Sequence, residues 1–280
     1  MQIIYKKYCP PERSRRKFDE IFLIILLSII IYSCSVSAEE KSDTKIKIES
    51  PEAEITDSLL IDTLVLDLKI TPQKKYSDWK YEAKSEWKKL NAASKIINSD
   101  SLSADEKAKI YIENLILNKL IPHWYGTPWD FNGYTETPKN GVIACGYFVS
   151  TVMKHAGFNI DRYKLAQQNP FNEACTIALA DTVDIYNTGS HALQETFNKN
   201  YKEGLYFTGL DFHVGFLLFR NKELYFIHSN YIGSKGVMIE KAVYSEAFNA
   251  STTYRIAPFS TNEKLIKKWL KGEEIKVKMK

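Results

Sequence analysis

Cysteine is scarce in this chain, with four in 280 residues. Cys9 lies in a basic N-terminal segment and Cys34 just beyond the apolar run that follows it, so only Cys145 and Cys175 remain in the body. That is too few for a disulfide-built scaffold, although a Cys145–Cys175 bridge stays open as an alternative. No CxxC pair and no HExxH spacing occurs. A zinc site would have only the irregular set Cys145, His213 and His228, so neither a metal nor an organic cofactor is expected. No apolar run has the roughly 20 residues that span a bilayer comfortably. The positive charge is concentrated at the ends, in Lys6, Lys7, Arg13, Arg15, Arg16 and Lys17 and in the Lys-rich tail from Lys264 to Lys280. The body has no basic stripe with interleaved aromatics, which argues against nucleic acid as a partner. Repeats and low-complexity tracts are missing too.

What is present starts with the N-terminus. The 12-residue apolar run Ile21 to Tyr32 behind a positive segment has signal-peptide length. It ends in Ile31-Tyr32-Ser33-Cys34 before a polar stretch, which resembles the lipobox of bacterial lipoproteins, with Cys34 as the lipidated residue. Cleavage after Val36-Ser37-Ala38 and an uncleaved anchor are the alternatives. All three place the remaining chain outside the cytoplasm, in the cell envelope, and the first ties it to a membrane through a lipid.

The chain then divides by character. Residues 1–38 are the export signal and 39–75 a charged tether, with a weakly alternating piece, Leu59 to Ile70, as a strand or ordered arm. Residues 76–121 form a helical extension. Trp79, Ala83, Trp87, Leu90 and Ala93 recur at helical spacing between Tyr76 and Ile97. A Ser103/Glu106 capping box opens a second helix to about Leu120. Residues 122–260 form the core domain. An aromatic loop, Ile121 to Gly141, leads into a helix starting near Cys145 and closed by Gly157 at C′. Strands follow at Phe212–Phe219, Leu224–His228, Gly236–Ile239 and Thr252–Ala257. Residues 261–280 carry a C-terminal helix and a basic tail. Helices followed by a small antiparallel sheet make the fold class α+β.

Within this frame Cys145 sits after a Gly141 turn at the mouth of a helix. Unpaired amides and the helix dipole there would lower its thiol pKa towards neutrality and hold an oxyanion. The small neighbours Ala144 and Gly146 leave room for a substrate carbonyl. His213 opens the core strand His213-Val-Gly-Phe-Leu-Leu-Phe and supplies the base a thiol nucleophile needs. His228 ends the adjoining strand, where it can fix the His213 tautomer, with Asn230 as substitute. His155 reads as a solvated residue on the outer turn of the Cys145 helix, and His191 as an isolated loop histidine.

The order Cys145, then His213-Val-Gly-Phe, then Ile227-His228 resembles the NlpC family of cell-wall cysteine peptidases, which have papain-like α+β domains. The likeness runs from about Trp124 to Ile239. It implies a thiol hydrolase cleaving an amide bond in peptidoglycan peptides or another peptide substrate through a Cys145–His213–His228 triad. Trp124-Tyr125-Gly126-Thr127-Pro128-Trp129 resembles the family's aromatic-Gly loop, so Tyr125 would lie beside the nucleophile and Trp124 and Trp129 along the groove. Arg162 and Gln167 fall in the stretch that lines the groove after the catalytic helix. Where the family usually has Asp-Cys-Ser-Gly, this chain has Ala144-Cys145-Gly146-Tyr147, and Phe171 to Gly209 reads as an insertion. An amidase, a transglutaminase-like acyltransferase or a thioesterase on the same scaffold, and an envelope binding protein with a relic triad, are the rival expectations.

Overall fold

The computed structural model describes residues 66–95 and 103–279. The export segment with Cys34, the tether ahead of Leu66 and the expected helix end at Ile96 and Ile97 lie outside the described residues. The described residues form an α+β fold around a six-stranded antiparallel sheet.

The helical layer opens with α1 (Tyr76–Ala93), whose Trp79, Ala83 and Leu90 are buried at helical spacing. Its successor α2 (Ala104–Asn114) starts at the expected capping box. Ser103 Oγ accepts the Glu106 amide at 3.2 Å, and Glu106 Oε2 accepts the Ser103 amide at 3.0 Å. The helix does not stop there but widens into π-helical turns over Leu115–Leu120, then tightens into α3 (Ile121–Trp124). Leu115, Ile116, Leu117, Leu120 and Ile121 are all buried, which suits a rod covered on most sides.

Next come α4 (Cys145–His155), α5 (Arg162–Ala166) and α6 (Pro170–Ala178). Gly157 has φ +96°, the left-handed geometry expected at the end of α4. Beyond them lie β1 (Asp184–Tyr186), α7 (Ser190–Asn200) and β2 (Gly204–Gly209). The rest of the sheet is β3 (Val214–Arg220), β4 (Glu223–Asn230), β5 (Gly236–Lys241) and β6 (Tyr254–Pro258), with the short α8 (Glu246–Asn249) ahead of β6. The last helix is α9 (Glu263–Lys271).

The strand order is β1-β6-β2-β3-β4-β5. Strand β2, central between β6 and β3, lies inside the stretch expected as an insertion, so that stretch is part of the scaffold. One sheet face, with Phe207, Val214, Phe216, Leu218 and Ile227, packs with Phe148, Val149 and Val152 of α4. The other, with Leu217, Phe219, Leu224 and Phe226, is covered by Leu193 and Phe197 of α7 and Phe248 of α8. Burial on both faces explains why β3 reads as a continuous apolar run. Asn221 and Lys222 take φ +52° and +64° in the two-residue turn joining β3 to β4, the geometry whose twist matches antiparallel strands.

The sequence-drawn limits at 121 and 260 do not divide the core. Leu66 and Leu68 of the arm, Leu90 of α1, Ile112 of α2 and Trp269 of α9 share one cluster with the sheet and α4. Residues 66–70 of the alternating piece are an ordered arm with no strand in it.

Candidate active site

Cys145 is the first residue of α4, and its N-cap, Ala144, offers no capping side chain. The first-turn amides are therefore open towards the sulfur. The loop before the helix is stitched down from three sides. The Ile143 amide donates to Pro128 O at 3.0 Å, the Ala144 amide to Gly133 O at 2.8 Å, and Ser229 Oγ to Ile143 O at 2.7 Å. Gly133 is required there, since a Cβ would stand 2.6 Å from Ile143 N.

The sulfur meets the sheet where two strands part. The β3–β4 ladder runs from Arg220↔Glu223 to Phe216↔Ile227 and ends there. Continued, that register would set Val214 opposite Ser229; instead the amides of Val214, Gly146 and Cys145 itself lie close enough to the Cys145 sulfur to favour its charged form. The nucleophile candidate thus sits against the residue that follows His213.

In the same register His213 and His228 share a face as diagonal neighbours rather than lying side by side, a separation long side chains can bridge. Their rings do so: His213 Nε2 and His228 Nδ1 are 2.8 Å apart. His228 Nε2 lies 3.0 Å from Glu240 Oε1 on β5, and Ser245 Oγ donates to the same oxygen at 2.5 Å. Phe226 stacks on His228 with ring centres 4.1 Å apart, and Tyr231 packs against His213 at 5.1 Å. Both histidines are buried, at 4% and 0% exposure.

Burial governs the ionisation of the cluster. It pushes the Cys145 thiol up to about 11, with Glu173 adding to the push and the three amides opposing it. The lowered thiol pKa expected from the helix terminus is therefore not found; desolvation outweighs the amides. Burial, and then the neighbouring His228, holds His213 well below its ordinary range. Resting thiol and imidazole are thus both neutral. Burial works to raise the Glu240 carboxyl, yet hydrogen bonds from His228 and Ser245 bring it below the usual range. Glu173 on α6 is buried with one carboxyl oxygen unpartnered, and burial alone raises its pKa well above the usual range.

The structure brings His213 and His228 together, seats Cys145 at the amide of the residue that follows His213, and distributes the other expected residues differently. Tyr125 follows α3, half-buried, and burial raises its phenol; among the described residues its hydroxyl makes no hydrogen bond to the cluster. Trp129 is half-buried and packs on Tyr231 at 6.2 Å, which keeps it on the rim. Gln167 is exposed and reaches the Tyr147 hydroxyl at 3.4 Å.

Trp124 does not line a groove. It is fully buried, and its indole N–H donates to Tyr76 Oη at 2.9 Å. Arg162 is also fully buried and is a structural tie. It holds Thr151 Oγ1 at 2.5 Å, Tyr134 O at 2.7 Å and the Glu136 carboxylate at 2.7 Å. His155 is not solvated; its Nδ1 shares a hydrogen bond of 2.9 Å with the Tyr76 hydroxyl. Asn230 is committed elsewhere, its Oδ1 accepting the Ile232 amide at 2.8 Å. No disulfide joins Cys145 to Cys175.

Sequence reasoning missed Glu240, Tyr231 and Glu173. Only Glu240 left a legible trace, as an acid two residues from Met238, which pairs with His228. Compared with family models, curated proteins and solved structures, the chain matches none of them.

Proposed function

We propose that the protein is a papain-like thiol hydrolase acting on an amide bond, with Cys145 as nucleophile, His213 as base and His228 as the residue that orients the base. The observation that carries this reading is the sulfur's position, at helix-terminal amides and at the amide next to His213, whose Nε2 is taken by His228; in this reading Nδ1 serves the thiol. As both groups rest neutral, the proton leaves sulfur for His213 as the carbon–sulfur bond forms, and His213 returns it to the leaving amine. Water then releases the acyl group from sulfur. The amides of the α4 terminus face the developing oxyanion.

Peptidoglycan peptides are the substrate this reading favours, on the motif order Cys145, His213-Val-Gly, His228. An exported chain anchored through Cys34 would meet them in the envelope. The test is hydrolysis of peptidoglycan-derived peptides with mass spectrometry of the trapped acyl-enzyme. Cys145→Ala and His213→Ala should each remove turnover by at least ~10³-fold, and the acyl mass should map to Cys145. Full activity in Cys145→Ala overturns the reading.

The thiol pushed up to about 11 favours one rival, an envelope protein that binds without turning over. Under that rival no acyl-enzyme forms, and Cys145→Ala binds the same peptides unchanged.

A further inference from the structure

We infer that Glu240 is a positioning residue that decides, through His228, which nitrogen of His213 carries the proton. The inference rests on the Cys145–His213 reading above and extends it by two residues that no part of that reading requires.

The chain of bonds starts at the N-terminus of α8. Ser245 caps α8, and its Oγ accepts the Phe248 amide at 3.1 Å. With that lone pair engaged, its proton points at Glu240 Oε1. An oxygen that already accepts from Ser245 can meet His228 Nε2 only as an acceptor again, so His228 carries its proton on Nε2. Its Nδ1 is then a bare lone pair. The contact at 2.8 Å leaves His213 no choice but to donate from Nε2. A neutral His213 protonated on Nε2 has its lone pair on Nδ1, the form that can take a proton from the thiol. Four residues from three elements and one loop thus fix a tautomer, and every bond is 3.1 Å or shorter. Relaying direction rather than charge, Glu240 stays ionised throughout.

Both contacts fall on one oxygen, Oε1, so a side chain that keeps an acceptor there keeps the direction, and only loss of the acceptor releases it. In Glu240→Leu nothing holds the His228 proton on Nε2. His228 can then carry it on Nδ1, donate to His213 Nε2, and leave His213 protonated on Nδ1, with no lone pair for the thiol. Glu240→Asp keeps an acceptor and the original direction.

The experiment uses the full chain with 15N-labelled histidine. Long-range proton–nitrogen spectra read the tautomers of His213 and His228, and turnover of peptidoglycan-derived peptides is measured in parallel. The expected result is Nε2–H at both histidines in the wild type and in Glu240→Asp, and a populated Nδ1–H form at both in Glu240→Leu. Turnover in Glu240→Leu falls with KM little changed, by up to the ~10⁴-fold that a wrong histidine tautomer costs a triad, and Glu240→Asp restores it. A merely structural role would leave the tautomers of the folded Glu240→Leu protein as in wild type. Nδ1–H in the wild type, Nε2–H alone in a folded Glu240→Leu, or Nδ1–H in Glu240→Asp overturns the inference. The two readings fail separately. Tautomers that switch in a protein that hydrolyses nothing sink the hydrolase, and tautomers that do not switch in an active one sink Glu240.

Discussion

Gly215 shows how tightly single residues define the site. Its missing side chain makes room for the relay, since a Cβ there would stand 2.5 Å from a Phe226 ring carbon, 2.8 Å from Ile227 O and 3.0 Å from His228 Cβ. Neither Ile227 O, in the sheet backbone, nor Phe226, packed on His228, can yield cheaply. Gly215→Ala should therefore lower unfolding free energy by about 1–3 kcal/mol in urea titration, the usual cost of overpacking. It should also lower turnover beyond that loss by moving His228; an unchanged urea midpoint would show that the contact has slack. At this scale Cys145, His213 and His228 were legible because their types are rare here, with five histidines and four cysteines in the chain. Glu240 is one of 34 acidic residues and had no such contrast. Trp124 and Arg162 were misassigned because residue type does not state exposure. An indole beside Gly and Pro suits a groove wall and a core equally, and a guanidinium with enough acceptors can be fully buried.

Among the elements, the junction of α1 with α3 and α4 has a chemistry of its own. Tyr76, the first residue of α1, accepts the Trp124 indole N–H and shares a hydrogen bond with His155 Nδ1, both at 2.9 Å. His123 lies edge-on to the same ring at 5.2 Å. Burial, then Lys80, Arg162 and Lys154, pushes the His155 pKa down to about 3, against an ordinary 6.5 in the unfolded chain. The unfolded state therefore binds the proton first. Stability from this site is complete above pH 6.5 and is lost progressively as pH falls towards 3. Between pH 7 and pH 5 the loss should be about 2 kcal/mol by chemical denaturation. His155→Gln, which keeps an acceptor for Tyr76, should show correspondingly less pH dependence than wild type. An identical pH slope in the two proteins would assign the effect elsewhere. Elements of this kind were partly legible. The amphipathic α1, the capped α2 and the hairpin of β3 and β4 were visible from spacing and caps. Strand β2 was not, because six residues bounded by glycines and buried on both faces show no alternation to count. Short helices such as α5 and α6 are similarly too brief for a helical period to emerge.

For the whole molecule, the C-terminal helix is part of the core rather than an appendage. Leu265, Ile266, Trp269, Leu270 and Ile275 are nearly inaccessible, and the Trp269 indole N–H donates to Ala156 O at 2.9 Å. Each large apolar side chain contributes about 1.5–3 kcal/mol on burial, and the set of five matches the net stability of a typical domain. A chain ending at Ser260 should therefore show no cooperative thermal transition by circular dichroism. A folded truncated protein would contradict the shared core. The folding class was readable from helices preceding strands, but the extent of the folding unit was not. Composition marks a basic tail and a helix end without saying which face of that helix is covered.

Arg220 at the end of β3 donates to the Leu66 carbonyl at 2.6 Å. Strand β3 starts at Val214 on the sulfur and reaches Arg220 six residues later, about 20 Å away at the usual rise of a strand. Leu66, the first described residue, is thus fastened at the pole remote from the thiol. Whatever holds the protein at that pole, whether a bead, a surface or a fused partner, leaves the Cys145 end pointing outward. A protein held at Leu66 should therefore keep Cys145 within reach of polymers too large to diffuse into a crevice beneath it.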